Sequence, residues 1–347
     1  MAAVEQASNN IVSLHRHIGI ARLWAKSLEL DLVRTETMNK DWLLRFYEQG
    51  YRNFTGVDLS GVDLSGVMLI GVNLTRANLV GANLSRAFLT KSDLSEATLN
   101  RANLSYAKIS EINLEQADLT KANLKGAFMV KSGLVKAQLS GANLAHANLR
   151  SSNLLGANLC GAKLTRINLR GANLNHTNLK WADLQQGRLT GAQLQGSQLT
   201  GVNLSQTFLV DVDLSSTDLN GINFSGAKLT KANLSNSNLS YANLEAAQLQ
   251  NANLNCANLN RANLALCQLR KANLNHANLT GADLTDADLR GASLKQANLS
   301  NVDLAYTNLA SANIESTVFE PVFAEYILAN PAQFFKSPAT TPANSLS

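Results

Sequence analysis

Residues 72–106 read VNLTRANLVGANLSRAFLTKSDLSEATLNRANLSY. A bulky apolar residue recurs there at every fifth position, as Leu74, Leu79, Leu84, Leu89, Leu94, Leu99 and Leu104. Two positions earlier sits a small or β-branched residue, most often Ala, as in Ala77, Ala82, Ala87, Ala97 and Ala102. Between the two comes Asn or Asp, as in Asn73, Asn78, Asn83 and Asp93. Followed outward in both directions, the unit A-(N/D)-L-x-x runs from Phe54 to Phe319, 54 consecutive pentapeptides with no insertion or deletion. An internal repeat of this length decides the architecture ahead of any local propensity.

A period of five fits neither a straight α-helix, at about 3.6 residues per turn, nor an extended strand, at about 2. The Ala and Leu positions lie two apart and so point the same way on a short extended segment. The two residues that follow must turn the chain so that the next pair also faces inward. They are rich in turn formers, as in Ser60-Gly61, Ser65-Gly66, Thr190-Gly191, Thr200-Gly201 and Thr280-Gly281. The glycines are therefore read as turn glycines, not as a nucleotide-binding fingerprint. A chain that turns at each unit with one side always inward is a solenoid. Neither inward column carries a charge except at Arg52, although the chain holds 30 Lys/Arg and 25 Asp/Glu.

The repeat resembles that of the pentapeptide-repeat proteins, and the resemblance covers residues 51–320 of 347. It implies an all-β solenoid: a right-handed quadrilateral β-helix of four pentapeptides per coil, with Leu anchors stacked inside and Ala beside them. The Asn-rich form of the unit is similar to that of cyanobacterial members. Four sides can also be tested on the residues themselves. Of the 54 Asn/Asp positions 17 carry something else, and nine of these are Met68, Phe88, Lys108, Phe128, Arg188, Phe208, Lys228, Gln248 and Gln268. All nine are separated by multiples of twenty, in a column of only 13 members. Twenty residues per coil give about 13 coils, and at about 4.8 Å between neighbouring strands the rod is roughly 60 Å long.

A solenoid removes the two-domain inference that 347 residues would otherwise invite. The expected organisation is an N-terminal helical cap at 1–50, the β-helix at 51–320, a C-terminal cap at 321–335 and a disordered tail at 336–347. Apolar residues from Ile11 to Val33 follow helical steps, and Asn39 is placed to cap a second helix, Asp41 to Gln49, ended by Gly50. Two readings of these helices stay open: they cover the exposed strand edges of the first coil, or they dock a partner. Pro321 stops the array, and a short helix with Phe323 and Ile327 would face the last coil. A monomer or an end-to-end dimer fits such a rod.

The three cysteines, Cys160, Cys256 and Cys267, lie far apart in no metal-binding spacing. Cys267 falls on an inward column, and free thiols in a reducing, cytoplasmic compartment are expected. No apolar run approaches the roughly 20 residues that span a bilayer, so no membrane insertion is expected. His146, His176 and His276 fall on turns one or more coils apart, and a filled convex rod offers no concave pocket for convergent catalytic groups. The reading is of a non-enzymatic protein with no catalytic or metal residues and no cofactor.

Function is sought on the outside of the rod. The side built from units beginning at Val67, Ala87, Ala107 and onward in twenties holds Lys91, Lys108, Lys131, Arg150, Arg170, Arg188, Lys228, Lys231, Arg270, Lys271 and Arg290, against Glu111, Asp211 and Asp288. Its net charge is +8, whereas the other three sides come to −2, −1 and 0. The same side carries Met68, Phe88, Phe128 and Phe208 at positions that should point outward. Exposed aromatics beside basic residues mark interaction surfaces. The first reading is a scaffold or regulator that binds a protein partner through this side. The second comes from the resemblance: some members of the family mimic B-DNA and modulate DNA gyrase. That needs a negative surface, and this chain has net charge +5 and pI near 9.1. Direct nucleic-acid binding ranks third, because the charges are spread along the rod and a flat side offers no groove reader.

Overall fold

The computed structural model describes residues 38–319. The helix expected over 11–33, the lid at 321–335 and the tail at 336–347 lie outside the described residues. Each pentapeptide places its Asn/Asp position in a one-residue parallel bridge with the residue twenty further on, as in Asn53↔Asn73, Asp58↔Asn78, Asp63↔Asn83 and Met68↔Phe88. A turn after every bridge and a register of twenty make a four-sided coil. The first side begins with the unit of Arg52, the second with Val57, the third with Val62 and the fourth with Val67.

Three backbone bonds join each unit to the next coil. The anchor amide donates upward, as Leu59 to Asn78 O at 2.7 Å, and so does the second turn residue, as Gly61 to Val80 O at 2.9 Å. The Asn/Asp amide donates downward, as Asn78 to Val57 O at 2.9 Å. The Asn side chain explains its place in the unit. Its Oδ1 accepts from the amide two residues on, closing the turn, as Ser105 N to Asn103 Oδ1 at 3.1 Å. Its Nδ2 donates to the Asn or Asp one coil below, as Asn123 to Asn103 at 3.1 Å. One residue type thus closes a turn and cements two coils.

The anchors fill the axis, and Leu59 to Leu299 are at most 3% exposed. Burying each Leu stabilises by about 1.5–3 kcal/mol. Cys267 sits in the inward Ala column, where its Sγ donates to Leu244 O at 2.8 Å and burial pushes the thiol up to about 12. Every corner from residue 56 to residue 316 holds a residue at positive φ, 36 of them non-glycine, such as Lys91 at 60° and Trp181 at 60°. The turn glycines occupy that same corner position, but Gly133 and Gly187 do not: Gly133 stands in an Asn/Asp slot and Gly187 in the inward Ala column. Those two correct the reading of the glycines as turn residues.

The helix α1 spans Lys40–Glu48, with Asn39 Oδ1 accepting from Trp42 N at 3.0 Å. Leu43 and Phe46 are buried, Trp42 is 40% exposed, and Met38 N donates to Asp58 O of the first coil at 2.7 Å. Arg52, the charge in an inward column, is exposed at this end. Its Nη1 donates to the carbonyls of Tyr47 and Tyr51 at 2.7 and 2.9 Å, where the negative end of α1 lies.

The ladder is broken at one place. Among the described anchors from Phe54 to Leu299, only Leu194 and Leu199 lack the upward amide bond. Gly191, Gly196 and Gly201 lack theirs too, and the bridges Gln193 to Asp213 and Gln198 to Asp218 are absent. The seam covers the first and second sides; on the third the bridge Asn203↔Asn223 and the Leu204 amide bond remain while the Asn223 amide bond to Val202 O is lost, and Arg188↔Phe208 and Phe208↔Lys228 keep the fourth closed. Both halves of the side-chain amide device fail here: neither Gln193 nor Gln198 closes a turn as Asn does, and the carboxylates of Asp213 and Asp218 have no N–H to donate downward.

Candidate functional site

Asn is the default in the outward slot because it cements coils, so its replacement leaves the coil contact to the backbone alone. On the fourth side the slot reads Met68, Phe88, Lys108, Phe128, then Asn148 and Asn168, then Arg188, Phe208 and Lys228. The bridges Met68↔Phe88, Phe88↔Lys108, Lys108↔Phe128, Arg188↔Phe208 and Phe208↔Lys228 stack these residues in register. Successive side chains therefore stand about 4.8 Å apart along the rod.

The aromatics are not all open to solvent. Met68 is 57% and Phe128 49% exposed, but Phe88 and Phe208 are half-buried. Lys108 Nζ lies 4.8 Å from the Phe88 ring centroid, and Lys228 Nζ lies 4.7 Å from that of Phe208. A cation over a ring face contributes about 0.5–1 kcal/mol at exposed sites. The expectation of outward Phe thus holds for Phe128, while the other two serve as platforms for lysines of the next coil.

The remaining residues of the expected site run along the corner between the fourth and first sides. Lys91, Lys131, Lys231 and Lys271 occupy positive-φ corner positions. Arg150, Arg170, Arg270 and Arg290 occupy the turn position before it. The structure therefore divides the basic side into a flat column and a corner line. Arg290 is partly spent: its guanidinium holds both Asp288 carboxylate oxygens, at 2.8 and 2.7 Å, and so keeps that carboxyl below the usual range.

On the other corner of the fourth side, where it meets the third, lies a groove of about 630 Å³ that the reading of the residues missed. One wall is the corner row His146, Arg166, Gln186, Gln206 and Gly226. The other is the slot column Asn148, Asn168, Arg188, Phe208 and Lys228. Arg166 Nε donates to Gln186 Oε1 at 2.6 Å, and Gln186 Nε2 donates to Gln206 Oε1 at 2.7 Å. The signal for it was the corner column at steps of twenty from His146. That same step pairs a flat ring with a glycine elsewhere: Tyr106 covers Gly126, His176 covers Gly196 and Trp181 covers Gly201, where a Cβ would meet the ring at 2.6, 2.5 and 2.2 Å.

Among the described residues there is no group of three or more His, Cys, Asp or Glu able to hold a metal, and no helix long and apolar enough to cross a membrane.

A square coil of pentapeptides with a variable exterior defines a class of protein before it defines a member. The sequence profile of pentapeptide repeats matches this chain over residues 53–132, 137–281 and 282–320, and the chain belongs to that family. Its members fold as right-handed quadrilateral β-helices. Among solved structures it is similar to HetL, a pentapeptide repeat protein involved in heterocyst differentiation regulation from the cyanobacterium Nostoc sp. strain PCC 7120. The identity is 31%, over 82% of this chain and 98% of that one, with TM-score 0.20. It is similar to a pentapeptide repeat protein from the Arabidopsis thaliana thylakoid lumen, at 29% identity over 37% of this chain and 83% of that one, with TM-score 0.25. It also matches QnrB1, a plasmid-mediated fluoroquinolone resistance protein, at 14% identity over 78% and 100% of the two chains, with TM-score 0.26. No curated protein matches the chain.

Proposed function

We propose that this chain is a non-catalytic binding module that engages a protein partner through its fourth side. The observation that carries the reading is the slot column. Seven of its nine positions from Met68 to Lys228 give up the cementing Asn for Met, Phe, Lys or Arg, and the bridges hold these in one line. A position that abandons a stabilising residue for an exposed cation or apolar group does so for what lies outside the rod. A rigid solenoid presents such a line without reorganisation on binding.

The test uses the intact protein as bait beside the variant Phe128→Ala, Lys131→Glu, Arg150→Glu and Arg170→Glu. A partner retained by the wild type and lost from a folded variant is the expected result, and equal retention overturns the reading. Nucleic acid is the second reading, favoured by the charge of +8 on one side. Its mark would be an affinity that falls steeply with salt. Mimicry of DNA fits least, because net charge +5 is the wrong sign.

A further inference from the structure

We infer that the groove between the third and fourth sides receives an acidic, extended protein segment, and that the seam on the opposite corner gives the groove its curvature. This rests on the reading of the fourth side as a protein-binding surface and adds the chemistry of what is bound.

The charge of the groove is one-sided. Arg166, Arg188 and Lys228 line it with His146, and no Asp or Glu does. Arg166 is steered by Gln186 through Nε alone, so its terminal nitrogens stay available, and the Arg188 guanidinium has no partner among the described residues. A guanidinium fork is built for carboxylates, and a bidentate pair brings geometry as well as attraction. The half-buried Phe208 ring between Arg188 and Lys228 carries the Lys228 ammonium and fixes it on the groove wall. From His146 to Gly226 the groove covers four coil steps, or about 19 Å, the reach of about six extended residues at roughly 3.3 Å each. Non-specific duplex binding of useful strength draws on about 6–10 phosphate contacts. Three permanent cations fall short of that and suit a short acidic peptide.

The seam lies on the far side. A ladder open on the first and second sides and still bridged on the third and fourth is a wedge, and a wedge bends the rod toward its bridged corner. The open corner holds a cleft of about 290 Å³ between Gly196-Ser197 and Ser216-Thr217. The groove lies at the same level on the diagonally opposite corner. Gly187 stands in the inward column there, and a Cβ on it would sit 2.8 Å from Leu184 O and 3.1 Å from Leu189 Cδ1. This inward position has no room for a methyl.

The experiment measures binding of a fluorescein-labelled hexaglutamate peptide by anisotropy at about 0.15 M salt. It compares the intact protein, the groove variant Arg188→Glu with Lys228→Glu, and the seam variant Gln193→Asn, Gln198→Asn, Asp213→Asn and Asp218→Asn. Circular dichroism confirms folding, and Arg188→Gln alone serves if the double change does not fold. The expected results are binding by the wild type, at least tenfold weaker binding by the groove variant, and severalfold weaker binding by the seam variant. None of the four seam positions lines the groove, and removing two carboxylates would by itself strengthen attraction for an acidic peptide, so weakening reports geometry. Equal or tighter binding by the seam variant overturns the role of the seam. No loss in the groove variant, or tighter binding of a hexathymidylate than of the peptide, overturns the acidic-segment assignment. If hexaglutamate is not bound while the Phe128 and Lys131 variant still loses a partner, the inference fails and the proposed function stands. If the peptide binds in the groove while that variant keeps every partner, the proposed function fails alone.

Discussion

The coils between Leu229 and Leu299 and those between Gly191 and Asp218 are written in the same pentapeptide, yet the first set is fully laddered and the second is open on two sides. In the regular stretch every anchor amide reaches the coil above, and Asn233, Asn253 and Asn273 form an unbroken amide stack with spacings of 3.1 and 3.2 Å. At the seam the anchors are still Leu194, Leu199, Leu214 and Leu219, and all remain buried. The difference lies in the slot. Anchors bring coils onto one axis by burying apolar surface, which is non-directional. The backbone and amide ladders fix how closely two coils approach. The repeat therefore carries two separable instructions, and the seam is where only one of them is obeyed.

The sharpest way to break that distinction is to remove an anchor. Leu254→Ala in the regular stretch should cost about 2–5 kcal/mol, because rigid neighbours cannot close the cavity. Leu194→Ala beside the seam should fall at or below the low end of that range, since one side is already free to relax. Urea denaturation of both variants checks this, and equal losses would remove the distinction. Gly187→Ala should destabilise by about 1–3 kcal/mol through overpacking against the Leu184 carbonyl, whereas a turn variant outside the groove, Gly161→Ala, should cost only about 1 kcal/mol of left-handed strain. Thermal unfolding separates the two.

Restoring the ladder works in the other direction. The four-Asn seam variant should gain about 1–2 kcal/mol from the bonds it makes possible, read as a higher urea midpoint. Smallest of all, Ala246→Gly at a corner with φ 55° should stabilise by a few tenths to about 1 kcal/mol, as relief of strain outweighs the added freedom of the unfolded chain. The same change at a corner that carries a covering ring, Trp181→Gly, should gain less, because the ring packed over Gly201 is lost with it.

Much of the fold was legible because it depends on one strict period. The anchors from Phe54 to Phe319 announce an inward column, and the slot exceptions at steps of twenty announce four sides. The charge of the fourth side was legible for the same reason, since charge can be summed along columns without coordinates. Three features were not. Phe88 and Phe208 could not be told from Phe128, because burial there depends on whether the residue one coil above is Lys108 and Lys228 or Asn148. The groove joins a corner row to a slot row, a pairing that no single column records. The seam needs Gln below Asp on two neighbouring sides at once; Asp288 over Gln268 alone leaves the ladder intact. Such a pattern is visible in the residues only after the role of the Asn amide is known.

The measurement that bears most directly on the two-instruction view is hydrogen exchange of the intact chain, resolved to the seam and to the regular stretch. The amides of Leu194, Gly196, Leu199 and Gly201 have no partner among the described residues, while those of Leu234, Asn236, Leu239 and Tyr241 donate to the next coil at 2.7–2.9 Å. The first group should exchange at least roughly tenfold faster than the second, although both sit on the same two sides of the rod. Equal protection of the two groups would mean that the ladder is continuous, and it would contradict both the seam and the curvature derived from it.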